Sequence, residues 1–382
     1  MKIAYVANIR LPTERAHGLQ IVKMCEAFAN AGQQVKLFLP KRLNHLTQDV
    51  FSYYNVKPNF ELVILPALDL KLWIWGRIKF WLQTLSFIAT ATYRLRQIKP
   101  DIIYSRDLLS AYIFSFFFKT VVFEDHQPPH SCRWLYRIFL KKIPKKIIVP
   151  PHLAELYRAL GVDPRTFRVA PNGVDLVDME RISPNPQLWR RWTNAGETIV
   201  LFVGHLYPWK GIYTLIDAAC QLPSNIKIIL IGALPENKII VTQYLTKHQI
   251  NNVALVDYLP FVQIIAYIKS ADILVLPNTA KEERSAKYTT PLKLFAYMAS
   301  GVPIVASDLP SFSAFLRSGE NALLCAPDKA GELAKAIICL VEQPEWRQRL
   351  AAVAKVEVRK FSWRERAAAI ISFVKQPKLN DH

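Results

Sequence analysis

Lys210 stands near the end of the run Gly204-His205-Leu206-Tyr207-Pro208-Trp209-Lys210-Gly211, between an apolar strand pattern and a helical one. A lysine at such a turn can bring its ammonium to the point where the unpaired N–H groups of the helix start converge, and that combination suits a diphosphate. Arg10–Gly18 is a second strand-to-helix turn. The helix start again favours an anion, and Gly18 lets backbone approach one without a Cβ in the way. The stretch does not spell GxGxxG, so a dinucleotide fingerprint is absent, and with it the case for an NAD-dependent dehydrogenase. His126 follows a buried strand and precedes Gln127-Pro128-Pro129; a neutral imidazole there can both donate and accept a hydrogen bond. Arg106 and Asp107 end the preceding strand at the same mouth, either as site residues or as an ordinary salt bridge or helix N-cap.

Tyr288 to Asp308 reads YTTPLKLFAYMASGVPIVASD. A strand ending at Leu276-Pro277-Asn278 leads through a polar loop into this segment, which continues as a short helix and a strand, Ile304–Ala306. That layout is a nucleotide-binding crevice at the carboxyl edge of a parallel sheet.

The elements that must position these residues alternate. Strands are expected at Ile3–Ala7, Val35–Leu39, Leu62–Leu65, Asp101–Tyr104, Val121–Glu124 and Lys146–Val149. Helices are expected over Gln20–Ala31, capped by Gly32, and from about Leu72 to Ile98. A turn cluster, Pro171-Asn172-Gly173-Val174-Asp175, marks a domain boundary. A second series follows at Thr198–Val203, Lys227–Ile231, Val253–Val256, Ile273–Leu276 and Ile304–Ala306, with a helix at Ile212–Gln221. Closing helices are expected at Asp328–Glu342, Pro344–Glu357 and Phe361–Val374. Strand–helix alternation of this kind implies doubly wound parallel sheets. The domains are set at 1–175, 176–360 and a terminal helix 361–382 returning to the first.

Half of the 382 residues are apolar and 21% are charged, which marks a globular chain. Five scattered cysteines, with no CxxC pair, read as reduced thiols rather than a zinc or disulfide framework. No leader peptide is recognisable, and no apolar run reaches the roughly 18 to 20 residues that span a bilayer. The net charge of +19 is uneven: residues 1–175 hold 25 Lys and Arg against 12 Asp and Glu. Arg133, Arg137 and Lys141 recur at helical spacing, with Lys142, Lys145 and Lys146 behind them. Upstream, Trp73, Trp75, Phe80 and Trp81 mix with Lys71, Arg77 and Lys79. Aromatics among cations fit an interface that grips anionic lipid headgroups, or equally a buried helix with a solvated basic rim. No aromatic-rich RNA-binding motif is visible, so no nucleic-acid partner is expected.

RLPTERAHGLQIVKMCEAFANAG (10–32), YSRD (104–107), FEDH (123–126), VAPNGVD (169–175), LFVGHLYPWKG (201–211), ADILVLPN (271–278) and PLKLFAYMASGVPIVASD (291–308) together resemble family 4 retaining glycosyltransferases, in order and spacing, over nearly the whole chain. The resemblance implies the α/β GT-B fold, two Rossmann-like doubly wound domains facing a central cleft. It implies transfer of a sugar from a nucleotide-diphosphate donor to a lipid-linked or polysaccharide acceptor, with retention. Neither a metal nor any cofactor beyond the donor is implied. It places His126 beside the donor sugar and Lys210 on the diphosphate as the catalytic pair. Gly18, His205, Tyr288, Pro291, Leu292, Lys293 and Ala296 complete the donor side, with Arg106, Asp107, Arg133, Arg137, Lys141 and Lys142 on the acceptor or membrane side. The implied setting is cytoplasmic, peripheral on the inner membrane face, in cell-envelope polysaccharide synthesis. Three positions depart from the motif. The family's arginine after the first glycine is His205 here, and its two glutamates, separated by seven residues, are Tyr288 and Ala296. Tyr288 keeps a hydroxyl for the sugar, but Ala296 cannot accept hydrogen bonds from a ribose. The alternative is therefore a weak or inactive glycosyltransferase-like binding protein.

Overall fold

The computed structural model describes residues 1–68, 76–129, 131–194 and 196–376. Its contacts divide the chain into two units, Met1–Asn172 with the segment starting at Trp363, and Gly173–Ser362.

The first unit is built on seven strands: β1 (Lys2–Val6), β2 (Gln34–Pro40), β3 (Glu61–Leu65), β4 (Ile102–Ser105), β5 (Val121–Asp125), β6 (Lys145–Ile148) and β7 (Phe167–Val169). They pair in parallel in the order β3-β2-β1-β4-β5-β6-β7. The second unit contains β8 (Thr198–Val203), β9 (Ile226–Ala233), β10 (Val253–Asp257), β11 (Ile273–Leu276), β12 (Ile304–Ser307) and β13 (Leu323–Cys325), parallel in the order β10-β9-β8-β11-β12-β13. Both orders run outward from the first strand and then reverse, the doubly wound arrangement expected from strand–helix alternation. In such sheets a ligand crevice opens beyond the strand ends at the reversal, here β1/β4 and β8/β11.

Strand residues of the second sheet are apolar on both faces because helices cover both. Leu201, Val203, Ile229, Ile231, Leu274 and Leu276 pack into one core cluster. Their alternates Val200, Phe202, Ile228, Leu230, Ile273 and Val275 pack into the other. The short strands β7 and β13 were not foreseen; each adds only three residues at a sheet edge.

The first helix spans Ala16–Asn30, beginning four residues before the expected Gln20, and the long helix spans Gly76–Ile98. The expected extension of the latter to Leu72, along with Lys71, Trp73 and Trp75, lies outside the described residues, as does the Arg77 side chain. The terminal helix, Trp363–Lys375, packs on the first helix. Among the described residues no helix is long and apolar enough to cross a membrane.

Candidate functional site

In the second unit the turn after β8 is held tightly against the turn after β11. Gly211 has φ of 72°, and a Cβ there would sit 1.6 Å from the Pro277 carbonyl oxygen, so only glycine fits. The Trp209 carbonyl accepts hydrogen bonds from the Thr279 N–H (3.2 Å) and the Ser285 hydroxyl (3.1 Å). Lys210 ends a short 3-10 turn, Pro208–Lys210, immediately before helix Ile212–Ala219. Its ammonium lies beside Gly204, 3.4 Å from where a Cβ would project, and over the rings of Tyr207 (5.2 Å) and Trp209 (5.4 Å).

The motif helix spans Leu292–Ser300, preceded by Pro291. Tyr297 anchors it to β8 by accepting the Val203 N–H at 2.8 Å. That anchor brings Lys293 over the Phe202 ring at 3.7 Å. The Lys293 ammonium is buried and has no hydrogen-bond partner among the described residues. Arg284, on helix Glu283–Lys287, stacks over Trp209 at 5.0 Å. None of Lys210, Lys293 and Arg284 is ion-paired among the described residues. Burial, then the Arg284 charge, brings the Lys210 pKa down to about 8. Burial, then Lys210, holds Lys293 well below the ordinary lysine value. The three basic side chains sit close enough for Arg284 to lower the proton affinity of Lys210, and Lys210 that of Lys293. Among the described residues no carboxylate pairs with them, an arrangement that favours an anionic ligand.

His205 stacks on Tyr207 (centroids 5.6 Å apart) and lies near Tyr258, just beyond β10 (6.2 Å). Tyr288 ends helix Glu283–Lys287 and is half-buried. Ala296 is fully buried in the core, on the same helix face as Lys293, three residues on. Lys287, on the same short helix as Arg284, pairs with Glu283 at 3.7 Å.

In the first unit the mouth at β1, β4 and β5 is organised by Glu124. This carboxylate is fully buried and accepts from Gln20 Nε2 (2.6 Å), Arg366 Nη2 (2.9 Å) and the Tyr104 hydroxyl. His126 Nε2 lies 2.6 Å from its Oε1. Burial opposes the Glu124 charge, but Arg366 and His126 hold its carboxyl well below the usual range. Arg106 donates to Gln20 Oε1 at 2.7 Å. Burial, then the Arg106 charge, lowers His126 to about 4 and His17 to about 4, leaving both neutral near pH 7. Asp107 proves to be a helix N-cap: it accepts from the Ser110 N–H and hydroxyl, which occupies it structurally. Gly18 is needed for packing. A Cβ there would meet the Tyr54 hydroxyl at 2.2 Å and Thr13 at 2.6 Å, so close packing by itself accounts for glycine at this position.

Arg133, Arg137, Lys141 and Lys142 lie exposed on helix Arg133–Lys142, together with Trp134 (67% exposed) and Ile138. Helix Leu108–Phe114 packs against this helix and against Gly76–Ile98, which exposes Phe80 and Trp81. Phe116 and Phe117 are also exposed, under Lys142 and Arg96 respectively, each at 4.6 Å. Lys145 and Lys146 do not belong to this face. Both are buried in β6: Lys145 donates to the Phe373 and Gln376 carbonyls, and Lys146 to the Ile143 carbonyl and Thr166. Strand pairing turned them inward, where carbonyl oxygens replace water.

Sequence reasoning missed Glu124, Gln20, Arg284 and Arg366. Glu124 and His126 are two apart at a strand end, so they share a face, and that spacing was the available signal. Nothing local marks Arg366.

Two doubly wound parallel-sheet units, each with chain turns gathered at its reversal, define the GT-B fold. Sucrose-phosphate synthase from Thermosynechococcus elongatus matches it with TM-score 0.77 at 19% identity, over 98% of each chain. HepE of Anabaena in complex with UDP-glucose matches with TM-score 0.76 at 18% identity, over 97% of this chain and 99% of that one. Residues 18–178 match the family described as Glycosyltransferase Family 4, and residues 197–343 the one described as Glycosyl transferases group 1. The chain belongs to the family 4 type of glycosyltransferases. A phosphatidyl-myo-inositol mannosyltransferase from Mycobacterium leprae is 27% identical over 210 residues, 53% of this chain and 51% of that protein. A D-inositol 3-phosphate glycosyltransferase from Rhodococcus opacus is 25% identical over 241 residues, 59% of this chain and 51% of that protein. The matched stretch thus spans about half the length of these relatives.

Proposed function

We propose that the chain transfers a hexosyl group from a nucleotide-diphosphate sugar to a lipid-linked or polysaccharide acceptor, with retention and without a metal. The observation that carries this reading is the cluster of Lys210, Lys293 and Arg284 at the β8/β11 reversal, none of them paired with a carboxylate among the described residues. Breaking a sugar–phosphate bond leaves negative charge on the departing diphosphate and positive charge on the sugar ring. The buried Lys293 ammonium and the half-buried Lys210, joined by the exposed Arg284, can stabilise that leaving group with less reorganisation than freely solvated cations. The acceptor hydroxyl attacks from the face the phosphate leaves, and the phosphate takes its proton, so no carboxylate nucleophile is required. The glycosyltransferase names of the relatives and the UDP-glucose bound to HepE support the donor class. The exposed aromatic and basic residues of helix Arg133–Lys142 support an acceptor at an anionic membrane surface.

Ala296 favours a second reading, binding of the nucleotide sugar without turnover. A calorimetric screen of nucleotide sugars, followed by product analysis with the tightest binder, separates the two. Sugar transferred or hydrolysed supports the enzyme; a saturable isotherm with no product supports the binding protein.

A further inference from the structure

The Glu124 carboxylate, buried among Gln20, Tyr104, His126 and Arg366, has no place in the proposed chemistry, yet it touches the one imidazole expected to meet the sugar. We infer that Glu124 is a positioning residue that fixes His126 as its Nε2–H tautomer, so that the opposite ring nitrogen, Nδ1, can only accept a hydrogen bond from a ligand hydroxyl.

An ionised carboxylate accepts and never donates. Glu124 is held ionised by the Arg366 guanidinium at 2.9 Å, and its low pKa agrees with that pairing. At 2.6 Å, His126 Nε2 must therefore carry the proton. With one proton on a neutral ring, Nδ1 keeps its lone pair. The local charges agree. Arg106 and Arg366 disfavour a second proton on the imidazole, and Glu124, which favours it, is largely neutralised by Arg366. The side chain is still 23% exposed, so part of it remains within reach of a ligand. A neutral histidine offered both roles from sequence alone; the buried carboxylate removes the donor role. The mouth of the first unit then selects for a group that donates, such as a sugar hydroxyl, over one that only accepts, such as a carboxylate or a fluorine.

Arg366 belongs to the terminal helix, where it also donates to the carbonyls of Ala170 and Pro171. The terminal helix thus acts on the tautomer through Glu124, which bridges Arg366 and His126.

This inference rests on the reading of His126 as a ligand contact, but its test needs no ligand. Protein labelled with 15N-histidine is examined by long-range 1H–15N correlation near pH 7, with the His126 signals assigned by comparison with His126→Ala. The expected pattern is a protonated Nε2 and an unprotonated Nδ1 in a single population. In Glu124→Gln the side-chain amide can present either its oxygen or its NH2, so a second, Nδ1–H population is expected. Circular dichroism confirms that the variant is folded; if it is not, the native spectrum decides alone. A native spectrum showing Nδ1–H or a mixture overturns the inference, as does a folded Glu124→Gln protein with the native pattern unchanged. Absence of sugar transfer by the native protein would bear on the proposed function and leave the tautomer result standing.

Discussion

Glu124 and Arg366, 242 positions apart in sequence, meet at 2.9 Å inside the first unit with side chains 0% and 2% exposed. One comes from the end of a central strand and the other from the terminal helix, so the chain's last helix supplies the countercharge for its candidate site. Such a pair is costly to break from one side. Arg366→Met leaves a buried, uncompensated carboxylate and is expected to destabilise the unit by about 3–5 kcal/mol. Adding Glu124→Gln should recover much of that loss, because the charge that needed a partner is then gone. Urea unfolding of the single and double variants measures both values; additive losses would contradict the pairing.

The second unit should respond to pH in the opposite sense from an ion-paired site. Lys210 has a pKa of about 8 when folded against an ordinary 10.5, so the folded chain binds fewer protons than the unfolded chain between those values. Its contribution therefore makes stability rise with pH from about 8 towards 10, and Lys293, also lowered, acts in the same direction. Above pH 10 buried tyrosines such as Tyr297, whose folded pKa is raised, reverse the trend. Lys210→Met should raise the melting temperature of the unliganded protein near pH 7 and flatten its rise above pH 8. Thermal unfolding across pH 7–10 reads both effects, and an unchanged slope would show that the ammonium is not strained.

The same depressed values predict proton uptake on ligand binding. An arriving diphosphate restores an opposite charge beside Lys210 and Lys293, raising both pKa values. Calorimetry of UDP binding near pH 8, in buffers of different ionisation enthalpy, should show a buffer-dependent heat equal to a fraction of a proton or more taken up. Heats independent of buffer would mean that these lysines are already fully charged.

Ala296→Glu restores the missing motif carboxylate three residues from Lys293 on one helix face. A hydrogen bond to a charged acceptor contributes about 1.5–3 kcal/mol, so nucleotide-sugar affinity should rise by roughly 10- to 100-fold. Ala296 is fully buried, so the longer side chain must find room at the helix surface. An unchanged dissociation constant in a folded variant would sink the idea that Ala296 costs a ribose contact.

The exposed face of helix Arg133–Lys142 offers a separate test. Trp134→Ser with Arg137→Glu removes an exposed ring and reverses one charge, changes expected to move stability by only about 0.5 kcal/mol each. Flotation with phosphatidylglycerol vesicles should fall sharply, while flotation with phosphatidylcholine vesicles should stay low for both proteins. Equal flotation of variant and native protein would return this helix to an ordinary solvated rim.

Much of this fold could be read from the chain. Thr198–Val203, Ile273–Leu276 and Pro344–Glu357 begin and end where their apolar runs and bounding residues indicated. The three-residue strands β7 and β13 could not, because so short a run carries no period. At the site, Lys210 and His126 were marked by lying at strand ends, a local property. Gly18 and Asp107 looked chemical but are held by packing and capping, which only their neighbours reveal. Lys145 and Lys146 extended a basic run in sequence, yet strand pairing buried them. Arg366 is the extreme case: its role depends on a carboxylate 242 positions away, and no spacing rule reaches that far.

The claim at the centre of this account is that Lys210 stabilises a departing diphosphate. Turnover of the tightest-binding nucleotide sugar by native protein and by Lys210→Ala, followed as release of nucleoside diphosphate at saturating donor, tests it most directly. Loss of one preorganised charge-stabilising group predicts a fall in kcat of about 100- to 1,000-fold, in a variant that remains folded. Turnover by Lys210→Ala equal to that of the native protein would contradict the account.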